Sequence, residues 1–265
     1  MLSPLGRDMG RTRNKRPIDK CTVKTLRHHF CQTAAAFHRV SSFGRFPEPE
    51  APYLINDKVS DEDVGHEGLA AFLSTEQRPP IDFWLALETR TSSRSFHDKP
   101  LPEKMLRTLL HAAYGKKSAI NGSRVVPSAG ALYPLTVFVL ARAVEGICQG
   151  IYRLTPVDTL AIVDRLYPDD LQPWFRTTHV DYKKVAAIVF FSGRWDRMCP
   201  KYGARGYRYL LLEAGHAAQN MCLVCAGLDI PHLTVGGFED DMVNTALKLA
   251  EDEEGVIYSV VIGQM

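Results

Sequence analysis

The sequence predicts an α+β fold, and three observations carry that prediction. Short apolar segments over residues 136–163 are separated by turn signals at Glu145-Gly146 and 156–158, as in hairpins. Longer segments with helical periodicity lie before and after them. No Gly-x-Gly-x-x-Gly follows a predicted strand, so a doubly wound dinucleotide fold is disfavoured.

The elements follow in order. Residues 83–89 read as a short helix that runs into the polar loop 90–96. Pro102-Glu103 opens a second helix, with proline at the first turn and an acid beside it. Met105, Leu106, Leu109, Leu110 and Ala113 form its apolar stripe, and Gly115 closes it. A Gly/Pro/Ser loop over 121–134 precedes strands at 136–142, 150–154 and 159–163. A helix is expected near 170–177, then a buried strand at 186–192 and a long apolar helix at about 206–226. Gly236-Gly237 reads as a tight loop, followed by a helix at about 240–250 and a last strand at 256–262.

Of the 265 residues, 45% are hydrophobic and 23% charged, which excludes wholesale disorder, collagen and coiled coil. The net charge of +2 argues against a dedicated nucleic-acid binder. No apolar run has the length of a membrane span. The Arg-rich start has no apolar signal-peptide core, and six scattered cysteines do not make a disulfide framework. A reducing cytoplasm is the expected compartment. Residues 1–75 read as a basic, partly flexible extension with one short helix around 24–36, and residues 76–265 as the folded domain.

Several groups of residues have chemistry beyond packing. Arg90 and Arg94, with hydroxyls between them at Thr91, Ser92 and Ser93, suit an anion, because a guanidinium forks onto phosphate oxygens. A solvated turn accounts for the same residues. In 127–134, small residues between Pro127 and Pro134, including Ser128 and Gly130, make a rigid loop whose amides can approach a ligand. A turn into the next strand is the other reading. Lys201 and Tyr202 stand just ahead of the long helix, and Lys and Tyr both transfer protons when their surroundings activate them. A helix N-terminus favours a neutral amine and a phenolate. The bland reading is a charged helix start with aromatic packing. The segment 213–220 reads as a buried core or interface helix, with His216 as a hydrogen-bonded packing residue. Cys222 and Cys225 lack a second ligand pair, so no metal site is expected. Gly236 and Gly237 ahead of a helix can offer bare amides to a phosphate, or simply turn.

Together these segments resemble a known family. Arg90-x-Ser92-x-Arg94-x-Phe96 is similar to the signature that opens the nitroreductase-like flavin fold. More specifically, the chain resembles the SagB/ThcOx family, the FMN-dependent azoline dehydrogenases of thiazole/oxazole-modified peptide biosynthesis. The resemblance rests on 127–134, Lys201-Tyr202 with 205–209, 213–220, and 236–238 with Asp240, in family order over 82–263. Residues 35–43 also look like the family's N-terminal His-containing stretch.

The resemblance implies a sandwich with a central, mostly antiparallel sheet flanked by helices, an obligate homodimer, and FMN held at the subunit interface. Arg90, Ser92 and Arg94 would hold the phosphate and ribityl chain. Pro127, Ser128, Gly130, Gly236 and Gly237 would line the cofactor, and Lys201 and Tyr202 would be catalytic. The implied reaction oxidises a thiazoline or oxazoline in a peptide to the azole, with oxygen as final acceptor and a cyclodehydratase as partner. A nicotinamide-dependent nitro- or quinone reductase and a non-catalytic scaffold subunit are the competing expectations. The chain departs from the nitroreductase pattern at Gly263-Gln264-Met265, where a basic residue closing on the phosphate is often found.

Overall fold

The structure is a computed structural model. It describes Phe37 and residues 79–117, 123–177, 179–250 and 252–265. The expected helix at 24–36 and nearly all of the basic extension and of the 35–43 stretch lie outside the described residues.

Among the described residues five α-helices accompany one six-stranded sheet. The helices are α1 (Phe83–Thr89), α2 (Glu103–Tyr114), α3 (Trp195–Tyr202), α4 (Arg205–Gly227) and α5 (Asp240–Ala246). The strands are β1 (Leu135–Ala141), β2 (Gly150–Leu154), β3 (Leu160–Asp164), β4 (Ala187–Arg194), β5 (His232–Val235) and β6 (Glu254–Ile262). Their order across the sheet is β3-β2-β1-β4-β6-β5, with every neighbouring pair antiparallel.

Side chains alternate across a strand, and the two central strands use both faces. Val137, Val139 and Ala141 of β1, with Val189 and Phe191 of β4, join the core beneath α2 and α4. Phe138, Leu140, Ile188 and Phe190 point the other way, onto Leu171, Trp174, Phe175, Tyr182 and Val243. With both faces covered, these strands read as nearly unbroken apolar runs, although an antiparallel sheet often keeps one wet face. In α2, the periodic stripe buries Leu106, Leu109, Leu110 and Ala113. Full burial of each leucine contributes roughly 1.5–3 kcal/mol.

The structure corrects two expectations. Residues 170–177 form only a 3₁₀ turn, Gln172–Trp174, pinned by Pro173 and the Asp170 carboxylate, which accepts from Gln172 N. The expected helix at 240–250 stops at Ala246, with Lys248 in the left-handed region at φ 57°. In the segment 213–220, Glu213, Ala214, Ala217 and Ala218 are buried within the single chain and His216 is exposed. Two elements escape the sequence reading, β5 and α3, and both bear on the site.

Candidate functional site

Two clusters of the sequence-predicted residues form along α4. The first begins at α1. Asp82 caps that helix by accepting from Leu85 N at 3.0 Å, and the helix ends at Arg90, whose N–H donates to Ala86 O. The following loop crosses to the sheet edge, where Ser93 N donates to His232 O at 2.8 Å. This strap puts Arg90 and Ser92 over β5 and α4. They line a pocket of about 140 Å³ with Gly215, Ala218, Gln219, Cys222, His232, Thr234 and Tyr258. Arg94 is exposed and is not part of this lining, so of the predicted anion-binding trio the pocket contains Arg90 and Ser92.

Among the described residues no carboxylate pairs with Arg90. His232 is 3% exposed. Its Nδ1 lies 3.0 Å from Ile230 O, and its Nε2 is buried with no hydrogen-bond partner among the described residues. Burial holds its basicity below that of an ordinary histidine, and Arg90 lowers it further, against the Ile230 carbonyl. Burial pushes the Cys222 thiol up to about 11, so this wall of the pocket is neutral. Gly236 and Gly237 follow β5 directly and are exposed. Gly236 lies against the Tyr258 ring that lines the pocket, and Gly237 O accepts from Arg176 N at 2.9 Å.

The second cluster gathers around Gly130. Its loop holds three residues at positive φ: Gly130 at 62°, Ala131 at 56° and Tyr133 at 46°. The left-handed region is costly for side-chain-bearing residues and persists only where the surroundings impose it. Here Ala131 N donates to Ser128 O, and Tyr133 N donates to Ser128 Oγ at 2.9 Å. Behind the loop, Glu213 of α4 is buried and accepts from Tyr114 Oη at 2.6 Å, while Tyr114 Oη accepts from Leu135 N. Burial raises the Glu213 carboxyl above its usual range; the Ser128 and Tyr114 hydroxyls and Arg124 pull the other way. Ser128 is thus tied into the fold of the loop. Pro127 opens the loop and is exposed.

Gly130 touches the catalytic candidates. A Cβ at this position would stand 2.5 Å from both Lys201 Nζ and Tyr202 Oη. The Lys201 ammonium lies 5.4 Å from the Tyr202 ring centroid, and that ring meets Tyr209 edge-on at 5.0 Å. Lys201 and Tyr202 occupy the last turn of α3, where a helix N-terminus was expected. A helix C-terminus carries the negative end of the dipole and attracts a cation. The turn into α4 is tight. Gly203 N caps α3 by donating to Cys199 O, and a side chain at Gly206 would meet the Met198 carbonyl carbon at 2.9 Å. Only glycine lets α4 start so close to α3.

The two clusters lie at different levels of α4. From Arg205 to 215–222 is roughly 15–25 Å at 1.5 Å per residue. None of Gly130, Lys201 and Tyr202 lines the Arg90 pocket. Sequence reasoning missed His232, Thr234 and Tyr258. No local pattern marks them, because the pairing of β5 with β6 is what brings His232, Thr234 and Tyr258 near one another.

Comparison with known proteins bears on the family and the fold. A 165-residue segment is 34% identical to a Methanocaldococcus jannaschii protein assigned as a nitroreductase, covering 61% of this chain and 82% of that one. Over 177 residues it is 27% identical to the microcin B17-processing protein McbC of Escherichia coli, covering 61% of this chain and 62% of McbC. Among solved structures, a Ralstonia eutropha protein assigned as a nitroreductase superposes with a TM-score of 0.57 at 25% identity, covering 75% of this chain and 95% of that one. The E. coli microcin synthetase complex McbBCD with truncated pro-MccB17 bound contains a chain of the same fold, with TM-score 0.56, 20% identity and coverage of 92% and 97%. The model of the Nitroreductase family matches residues 87–264, from α1 to the end of the last strand's extension. The chain belongs to the nitroreductase family.

Proposed function

We propose that the chain is an FMN-dependent dehydrogenase that oxidises thiazoline or oxazoline rings in a peptide or peptide-like substrate to thiazole or oxazole. The observation that carries this reading is the convergence of Lys201 Nζ and Tyr202 Oη on Gly130, in a chain similar to a microcin-processing protein. An amine and a phenol held together suit proton abstraction, which the azoline reaction requires.

The residues fit the cofactor. Arg90, Ser92 and Thr234 supply hydroxyls and a cation with no carboxylate partner among the described residues, His232 supplies a buried nitrogen with no partner among them, and Gly236 and Gly237 supply exposed backbone. These are groups for a phosphate and a polyol. Arg94 would reach the same phosphate from the exposed side of the strap. Pro127, Ser128 and Gly130 would shape the other wall. A pocket of about 140 Å³ is smaller than the roughly 300–1,000 Å³ of a ligand site. A second copy of the chain would complete it. The surface for that copy is apolar: Phe83, Trp84 and Leu85 of α1 are 56%, 73% and 56% exposed, and Leu212 of α4 is 59% exposed.

Bound FMN supplies the acceptor for the hydride equivalent that leaves the ring. This chain's residues handle the proton. It leaves the ring carbon that bears the peptide carbonyl, a carbon acidified by that carbonyl and by the ring imine. Tyr202 as the phenolate, or Lys201 as the neutral amine, would take it, and the other group would orient the ring. Loss of one proton and one hydride leaves the ring double bond that completes the azole. Gly130 leaves the space in which both groups reach the ring. A peptide-modifying complex with a cyclodehydratase is the setting this substrate requires.

The 34% identity to the M. jannaschii protein favours a second reading, a nicotinamide-dependent nitro- or quinone reductase. Anaerobic spectra separate the two. Purified protein is expected to show flavin absorption that bleaches with a synthetic azoline peptide and not with NAD(P)H alone. Tyr202→Phe and Lys201→Ala should keep the flavin and slow bleaching by about 10²–10⁴-fold. Rapid bleaching by NAD(P)H with no response to azoline selects the second reading. A yellow protein that responds to neither is a scaffold subunit.

A further inference from the structure

His232 stands out among the groups that no role yet absorbs. It lies on the edge strand β5, paired with Ile262 of β6, and its backbone carbonyl anchors the Arg90–Ser92 strap. The side chain is almost wholly buried, and its two nitrogens have different duties. Nδ1 faces the Ile230 carbonyl oxygen, which can only accept, so Nδ1 carries a proton. In the neutral ring Nε2 is then a bare acceptor. It is buried without a described partner, in a pocket it shares with Arg90 and Ser92.

A buried polar atom with no partner is costly, and its presence in a pocket wall points to a ligand. Two ligand chemistries would satisfy Nε2. A hydroxyl or N–H could donate to it, or an anion could draw a second proton onto the ring. The surroundings favour the anion. Arg90 is a cation without a described carboxylate, and Ser92, Thr234, Gln219 and Tyr258 add neutral hydrogen-bonding groups. The titratable or charged groups that face the pocket are Arg90 from the strap, Cys222 from α4 and Tyr258 from β6; none is a carboxylate. An empty pocket with Arg90 disfavours a second positive charge. A phosphate dianion reverses that balance, because an opposite charge at contact stabilises the charged ring.

We propose that His232 binds the FMN phosphate in its doubly protonated form, donating from Nε2, so that cofactor uptake draws a proton from solvent. No bond to carbon or phosphorus changes: the imidazole gains one proton from water, and the phosphate stays a dianion. The inference rests on the flavin reading above and goes beyond it.

Calorimetry of FMN binding to the apoprotein tests it. Titrations at one pH, in two buffers of different ionisation enthalpy, measure proton exchange directly. They are run between pH 7 and 9, above the phosphate's own second ionisation near about 6. The expected result is net proton uptake, with affinity falling up to about tenfold per pH unit once protonation of the ring becomes the costly step. Riboflavin, which lacks the phosphate, should bind with no proton uptake. His232→Gln, which keeps an amide donor but cannot titrate, should bind FMN with no proton uptake and a flat pH profile. The wild-type two-buffer measurement stands even if that variant does not fold. Binding of FMN with no proton exchange overturns the proposal and leaves the flavin reading intact. Failure to bind FMN at all overturns both.

Discussion

At the scale of single residues, the site depends on what Gly130 lacks. Its φ of 62° suits glycine, and a methyl group would stand 2.5 Å from Lys201 Nζ and Tyr202 Oη. Gly130→Ala should therefore cost about 1–2 kcal/mol of stability from backbone conformation. Its larger effect should be on turnover, because a misplacement of about 1 Å can cost 10²-fold in rate. The check is azoline oxidation beside a thermal melt: a large fall in turnover with flavin retained is expected, and unchanged turnover refutes the placement. Glu213 makes a different prediction. Burial lifts its carboxyl above the ordinary range, so the folded chain keeps a proton that the unfolded chain releases. Stability from this group is full at low pH. It falls as pH rises from the ordinary carboxylate range through the raised value, at about 1.4 kcal/mol for each unit of the rise. Glu213→Gln can still accept from Tyr114 and does not ionise. Urea midpoints should show the variant gaining on the wild type as pH rises; a pH-independent difference rules the mechanism out.

At the scale of elements, what the sequence disclosed and what it hid have physical causes. Helix α2 was legible from its Pro-Glu start, its stripe and its closing glycine, and the structure places it at Glu103–Tyr114. The strands were legible because burial on two faces makes unbroken apolar runs. Strand β5 was not, since four residues containing a histidine and a threonine carry too little pattern. Helix α3 was hidden by Pro200 inside it and by its polar composition. That omission hid the helix C-terminus on which Lys201-Tyr202 sit, although the pair stands just ahead of the long helix as expected. Arg90 and Ser92 were visible as a motif, but their neighbour His232 arrives through strand pairing, which local sequence does not encode. The strap has its own lever. Asp82 caps α1 eight positions before Arg90, and the helix has seven residues. Asp82→Ala should cost the helix about 1 kcal/mol. Because α1 is short and exposed, the loss should appear in flavin affinity more than in global unfolding. Fluorescence titration with FMN, beside a thermal melt, reads the two separately. A lowered melting temperature with unchanged affinity would show that α1 does not position Arg90.

At the scale of the whole molecule, the two clusters raise a question of closure. The anion pocket and the Lys201-Tyr202 pair both border α4 but at different levels, and the pocket is small. The proposed isologous dimer would solve this, since one surface used twice would bring each copy's α1 and α4 to the other's site. The exposed apolar residues lie where that contact would form: Trp84 on α1 is 73% exposed, and Leu211 and Leu212 on α4 are 42% and 59% exposed. Both α4 residues lie between the level of Lys201-Tyr202 and that of the pocket. Burying a charge in an apolar interface is costly unless it is paired, and two-fold symmetry places every new charge there twice. Leu212→Glu should therefore give a monomer by sedimentation. Leu212 does not line the pocket, so the variant keeps every pocket residue of its own chain. If the second copy completes the site, that monomer should be colourless or bind FMN at least about tenfold more weakly, and turnover should fall with it. A monomer that retains flavin at full affinity would locate the whole cofactor site within one chain. A dimer that persists would move the interface off this face of α4.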